Sequence, residues 1–150
     1  MNRIIIIDKP KDITSQGVVS KIKRILNVKK VGHTGTLDPL ATGVLPILVG
    51  DATKLSKYLI EHDKIYIAKV VLGERRTTGD LEGEVVETKD TDISKIKKEE
   101  IEEVLKSFLG ESKQVPSIYS AIKVNGKKLY EYAREGKEVE VPERTIFIKN

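Results

Sequence analysis

Gly32-His33-Thr34-Gly35-Thr36-Leu37-Asp38-Pro39-Leu40-Ala41-Thr42-Gly43 packs three glycines, three threonines and a proline around two ionisable side chains, and it opens directly into the apolar residues 44–49. Glycine and proline at this density break regular structure, so the run reads as a structured loop feeding a strand of the core. Working outward on the N-terminal side, Ile4 to Ile7 are four β-branched residues in a row, which predicts a strand buried on both faces. Residues 8–12, Asp-Lys-Pro-Lys-Asp, stop it. Thr14 or Ser15 then caps a helix with Val18, Ile22, Ile25 and Leu26 on one face, while Lys21, Lys23 and Arg24 point outward.

On the C-terminal side, residues 64–72 are apolar at nearly every position and predict a central strand, with Tyr66 on the face opposite Ile65 and Ile67. A polar turn over 73–83 leads back through 84–87 as a hairpin. Ile101, Val104, Leu105, Phe108 and Leu109 fall at helical spacing, with Gly110 as the stop, and this acidic helix reads as scaffold. Asn125-Gly126 is a turn signal, followed by a short helix over 127–135 that ends at Gly136. Residues 145–148 predict a last strand, cut off soon after it begins, so a further piece of sheet is expected beyond it. With 150 residues, 39% of them apolar, and no repeat, low-complexity tract or clear linker, one folded unit is expected.

The absence of cysteine removes disulfides, thiolate nucleophiles and cysteine-based metal sites. The N-terminal apolar run is four residues, far short of the roughly 20 of a membrane span, so no membrane association and a cytoplasmic location are expected. The net charge is +4 and unevenly spread. Residues 1–60 hold ten Lys/Arg against four Asp/Glu, residues 61–113 ten against fourteen, and residues 114–150 seven against five. Two basic regions flanking an acidic one permit a polyanion-binding surface, although lysine-rich helices are also ordinary solvated faces.

Several chemistries are excluded by what the loop lacks. His33 and His62 have no HExxH spacing, so no metal is expected. The glycines at 32, 35 and 43 form neither a Walker loop nor GxGxxG. No serine stands in the loop beside His33 and Asp38 to complete a hydrolase triad. What remains is the carboxylate. Asp38, set in Leu-Asp-Pro, is either a nucleophile or charge stabiliser at a sugar carbon in a partly dry cleft, or a turn aspartate bonding its own backbone. His33 is otherwise a loop residue held by backbone, and Tyr66 an ordinary strand aromatic. A glycosidase would need a second carboxylate, for which Asp51 and Asp80 are the nearest acids.

The run from Gly32 through Gly43, continued by Val44-Leu45-Pro46, closely resembles the signature of the TruB family of tRNA pseudouridine synthases. The resemblance extends to Asp8-Lys9-Pro10, to Lys64-Ile65-Tyr66 with Leu72-Gly73, to Gln114-Val115-Pro116-Ser117-Ile118-Tyr119-Ser120-Ala121-Ile122-Lys123, and to residues 126–136. That last segment favours the stand-alone bacterial enzyme over guide-RNA-dependent relatives. The resemblance implies the α+β pseudouridine synthase fold, a mixed, mainly antiparallel sheet with flanking helices and an inserted thumb-like, RNA-gripping segment over about 114–142. It implies isomerisation of uridine 55 in the T-loop of tRNA by a monomer, without cofactor or metal.

By the same resemblance Asp38 is the catalytic carboxylate, His33 fills the space left by flipped nucleotides, and Tyr66 stacks on the target base. Lys64, Lys123, Lys127, Lys128 and Arg134 are candidate RNA contacts, and Lys9-Pro10 buttresses the active-site loop. Family members continue past residue 150, so residues 1–150 are expected to be the N-terminal part of the catalytic domain. The absent part would carry an arginine that pairs with the catalytic aspartate, and a small RNA-binding domain. Arg144-Thr145 matches the dipeptide of that arginine's motif but falls in the exit strand of the insertion, so the role is not carried to it. A T-arm-binding module without turnover is the alternative reading.

Overall fold

The computed structural model describes residues 1–90 and 92–150. The chain divides into two compact units, Met1–Ile67 and Ala68–Asn150, where one was expected. The division falls inside residues 64–72, which form no strand. They lie outside every ladder, and Ile65 and Ile67 are almost wholly exposed. A run of β-branched residues fits a pleated, half-buried surface, but it supplies no partner for its own backbone N–H and C=O groups. The expected alternation of Tyr66 against Ile65 and Ile67 falls with the strand.

In the first unit the isoleucine run forms β1 (Arg3–Lys9), antiparallel to β3 (Gly43–Val49) from Arg3↔Val49 to Lys9↔Gly43. The short β2 (Val31–His33) pairs with the other edge of β3, giving the order β1-β3-β2. Cross-strand partners point to the same side, so Ile5, Ile7 and Lys9 share one face with Leu45, Ile47, Val49, Val31 and His33. Helix α1 (Ser15–Leu26) covers that face, and Val18 and Val19 close a core with Leu45, Ile47 and Val49. Each of these buried aliphatics contributes roughly 1.5–3 kcal/mol before the entropy of ordering is set against it.

The other face of the sheet is largely open. Ile4, Ile6 and Val44 are exposed there and Leu48 alone of the β3 residues on that side is buried, so β1 is covered on one face and not two. Thr14 is the N-cap of α1, its hydroxyl accepting the Gly17 N–H at 2.9 Å. Ile25 is exposed although the spacing assigned it to the core. The stripe is centred on Ser15, Val19, Ile22 and Leu26, and Ile25 lies roughly a quarter-turn away from that centre. After β3 the chain turns at Gly50, where φ is 66° and an added Cβ would lie 2.2 Å from the Met1 carbonyl oxygen, and runs through a 3-10 stretch into α2 (Ser56–Leu59).

In the second unit β4 (Glu74–Arg76) and β5 (Val85–Thr88) form a hairpin whose return strand is the expected one, but whose first strand lies inside the expected 73–83 turn instead of over residues 64–72. Helix α3 (Lys98–Ser107) ends before Phe108, and Gly110 is the first residue of the next strand with φ 88°, not the helix stop. The apolar residues of α3 are exposed, so its reading as packed scaffold does not hold within the described residues. β6 (Gly110–Gln114) pairs antiparallel with the last strand, whose range is Arg144–Ile148. Between them β7 (Lys123–Val124) and β8 (Lys127–Lys128) form a tight hairpin. Its turn places Asn125 at φ 52° and Gly126 at φ 81°, the paired left-handed residues that a two-residue loop requires. Lys127 and Lys128 thus belong to a strand, and the helix expected from 127 is shorter, α4 (Leu129–Arg134), with Leu129 buried. The last strand, Arg144–Ile148, is β9.

The architecture is α+β, and every strand pair among the described residues is antiparallel. No helix among them is long and apolar enough to cross a membrane.

Candidate active-site loop and basic hairpin

The loop between β2 and β3 is fixed from below by residues of β1 and α1. Period-two alternation carries Lys9 to the buried face that Ile5 and Ile7 occupy, and the residue is 0% exposed. No carboxylate among the described residues pairs with it. Its ammonium donates to three carbonyls instead, of Ile13 at 2.8 Å, Pro10 at 2.9 Å and Pro39 at 3.2 Å. The Asp12 N–H reaches the same Pro39 oxygen at 2.8 Å. On the other side of Asp38, the Ser15 hydroxyl accepts the Leu37 N–H at 2.9 Å and donates to the Leu37 carbonyl at 3.2 Å. Leu37 itself packs against the core.

Asp38 therefore stands between two anchored residues. Its backbone carbonyl closes a turn by accepting the Ala41 N–H at 3.0 Å. Its carboxylate is exposed and makes no hydrogen bond or ion pair with the described residues, so it is not bonding its own turn. Among the described residues no partly dry cleft encloses it, because Leu37 and the Pro39 carbonyl are turned inward while Asp38 is exposed. His33, on the core-side face of β2, has its Nδ1 buried with no hydrogen-bond partner among the described residues. Among the described residues no cluster of three or more metal-ligating side chains occurs.

Tyr66 is not brought into this arrangement. It sits in the extended segment after α2 and is 70% exposed. Lys64 turns its ammonium onto the Ile60 and His62 carbonyls at 3.0 and 2.9 Å, closing off the end of α2. Ser15 escaped notice as a loop anchor because its partner lies 22 residues away; Lys9 was named only through the family resemblance, because residues 8–12 were expected to end the strand that in fact carries it inward.

In the second unit the four basic candidates converge. Lys123 and Lys128 face each other across the β7–β8 ladder. Lys128 donates to the Tyr130 hydroxyl at 3.2 Å, and both its ammonium and the Arg134 guanidinium lie 5.2 Å from the Tyr130 ring centre. Lys127 lies 5.0 Å from the Tyr132 ring and is paired with Glu135, which also meets Lys137 at 3.0 Å. The Lys127 and Lys137 ammoniums hold the Glu135 carboxyl below its ordinary value. Tyr132 ties the helix back to the hairpin through a 3.1 Å bond from its hydroxyl to the Val124 carbonyl.

The sequence profile described as TruB family pseudouridylate synthase (N terminal domain) matches residues 23–150. The chain belongs to the TruB family. Among curated TruB relatives, tRNA pseudouridine synthase B of Bacillus subtilis strain 168 is 53% identical over 150 residues, covering 100% of this chain and 48% of that protein. The protein of the same name from Staphylococcus epidermidis is 49% identical over 149 residues, covering 99% of this chain and 49% of that one. The chain spans about half the length of the curated relatives it matches. Among solved structures, the crystal structure of a Cbf5-Nop10-Gar1 complex superposes with a TM-score of 0.55 at 29% identity, covering 95% of this chain and 32% of that one. The TruB signature read in residues 32–46 thus coincides with the anchored loop.

Proposed function

We propose that this chain carries the catalytic aspartate and part of the RNA-binding surface of a tRNA pseudouridine synthase that converts uridine 55 of the T-loop to pseudouridine. The observation that supports it is the Asp38 loop: a family signature whose flanking residues are tied to β1 and α1 while the carboxylate itself is left free. Residues 1–150 are read as the N-terminal part of the catalytic domain. The excursion between Gln114 and Arg144, closed at its base by the β6–β9 ladder and by Arg144 Nε donating to Gln114 Oε1 at 2.8 Å, is read as the thumb-like insertion.

In this reading Asp38 acts as an ionised carboxylate at the ribose carbon while the bond to N1 breaks and the bond to C5 forms. The target base has to leave the folded T-loop, at a cost of a few kcal/mol. His33 occupies the vacated space, and Tyr66 stacks on the flipped base, a contact worth about 1–3 kcal/mol in other single-strand binders. Lys64, Lys123, Lys127, Lys128 and Arg134 contact phosphates and hold the RNA without reading its bases. The enzyme is read as a cytoplasmic monomer that needs no cofactor.

The test is tritium release from T-arm RNA labelled at uridine C5, with Asp38→Asn as control. The expected result is release by the wild-type chain and none by Asp38→Asn, with T-arm affinity changed by less than about threefold. Turnover by Asp38→Asn would sink the assignment, and T-arm binding without release by the wild type would make residues 1–150 a binding module.

A further inference from the structure

We propose that Ser15 is a positioning residue for Asp38, acting through the two peptide planes that flank Leu37. The inference rests on the reading of Asp38 as the catalytic carboxylate. Ser15 is 2% exposed and begins α1 directly after the Thr14 cap, so both its backbone and its surroundings are fixed. Its single hydroxyl meets both polar groups of Leu37, accepting from the N–H at 2.9 Å and donating to the C=O at 3.2 Å.

Those two groups belong to different peptide units. The Leu37 N–H lies in the plane shared with Thr36, and the Leu37 C=O lies in the plane shared with Asp38. Holding both fixes the two backbone dihedrals of Leu37, and with them the position and direction from which the Asp38 Cα departs. On the far side, Pro39 has its own φ locked by its ring and its carbonyl held by the Asp12 N–H and the Lys9 ammonium. Asp38 keeps only its own dihedrals and its side-chain rotamers.

A serine is suited to this task because its hydroxyl accepts and donates through one atom on one short stem. Alanine would leave both Leu37 groups without this partner in a part-buried setting, and the segment would gain freedom immediately before the carboxylate. Reaction at a sugar carbon needs the attacking oxygen near 3–3.5 Å and in line, and a misplacement of about 1 Å costs on the order of 10²-fold. Ser15 is buried and its hydroxyl is engaged by Leu37, so its loss should appear in kcat and not in KM.

The experiment uses the whole chain as wild type, Ser15→Ala and Ser15→Cys. Three quantities are measured: amide hydrogen exchange at Leu37, the order parameter of the Asp38 N–H, and tritium release from T-arm RNA. In the wild type the Leu37 amide should be protected. Ser15→Ala should remove that protection and lower the Asp38 order parameter, while the amides of Val19 and Val49 stay protected and report an intact core. Turnover should fall roughly 10- to 100-fold in kcat, with KM within about threefold. Ser15→Cys keeps the shape but offers a weak donor and acceptor, so it should fall between the two and serves if the alanine variant loses its core.

An unprotected Leu37 amide in the wild type, or protection unchanged by the substitution, overturns the proposal. So does a Ser15→Ala enzyme with wild-type kcat, or one whose loss lies wholly in KM. A wild-type chain that binds T-arm RNA without turnover is the binding module of the alternative reading, and exchange at Leu37 with the Asp38 order parameter then decides on its own whether Ser15 holds the loop.

Discussion

Replacing Lys9 with methionine keeps the buried stem and deletes the ammonium that three carbonyls share. The Pro39 oxygen retains the Asp12 N–H, so its loss is partial, whereas the Pro10 and Ile13 oxygens lose this donor altogether. Leaving a buried acceptor unsatisfied costs roughly 1–3 kcal/mol. Against two such losses stands the desolvation of the ammonium, which methionine avoids. The net expectation is a destabilisation of about 2–3 kcal/mol in the first unit, equivalent to roughly 10–20 °C for a unit of this size.

Because the chain has two compact units, a single melting curve is not a clean readout. Amide exchange at β1–β3 positions and at Val18 and Val19 reads the first unit by itself, and the β6–β9 amides serve as an internal reference. A change below about 0.5 kcal/mol, the range of an unremarkable surface substitution, would refute the idea that the ammonium holds the loop base together. Tritium release should fall as well, since the Pro39 anchor beside Asp38 is loosened.

Thr14→Ala removes the hydroxyl that caps the Gly17 N–H and should cost the first unit about 1 kcal/mol, read by the same exchange measurement. Glu135 is held below its ordinary value by Lys127 and Lys137, so its contribution to the β7–β8–α4 region is present above the ordinary glutamate range and lost as pH falls through the lowered value. The Lys127 side-chain resonances should follow that titration in the wild type and stay flat in Glu135→Gln. If Lys123 and Lys128 each contact one phosphate, each alanine substitution should reduce the slope of log affinity for T-arm RNA against log salt by roughly 0.7–0.9, without changing base preference.

What could be read from the sequence was whatever local pattern alone decides. The isoleucine run, the helix after Thr14, the return strand near residues 84–87 and the Asn125-Gly126 turn all follow from neighbours in the chain, and the structure forms each of them. Residues 64–72 show the limit. Their composition measures fitness for a sheet, but a strand exists only where another strand offers its edge, and that depends on residues far away in sequence. The apolar stripe of α3 is the same case: spacing foretells the helix and one apolar face, not whether a surface lies opposite it.

The same distinction runs through the loop itself. Asp38 drew attention because carboxylates do chemistry, yet on its own it was equally well explained as a turn residue. What separates the two explanations is where its neighbours' hydrogen bonds go. A turn aspartate would spend its carboxylate on nearby N–H groups, whereas here the Leu37 N–H goes to Ser15, the Ala41 N–H goes to the Asp38 backbone carbonyl, and the Pro39 carbonyl is held by Asp12 and Lys9. The loop is therefore stabilised without drawing on the Asp38 carboxylate. A carboxylate that the fold does not need for its own stability is free to act on something else. That is why removing its charge with Asp38→Asn should leave folding almost untouched while Lys9→Met, one strand away and touching no substrate, should not.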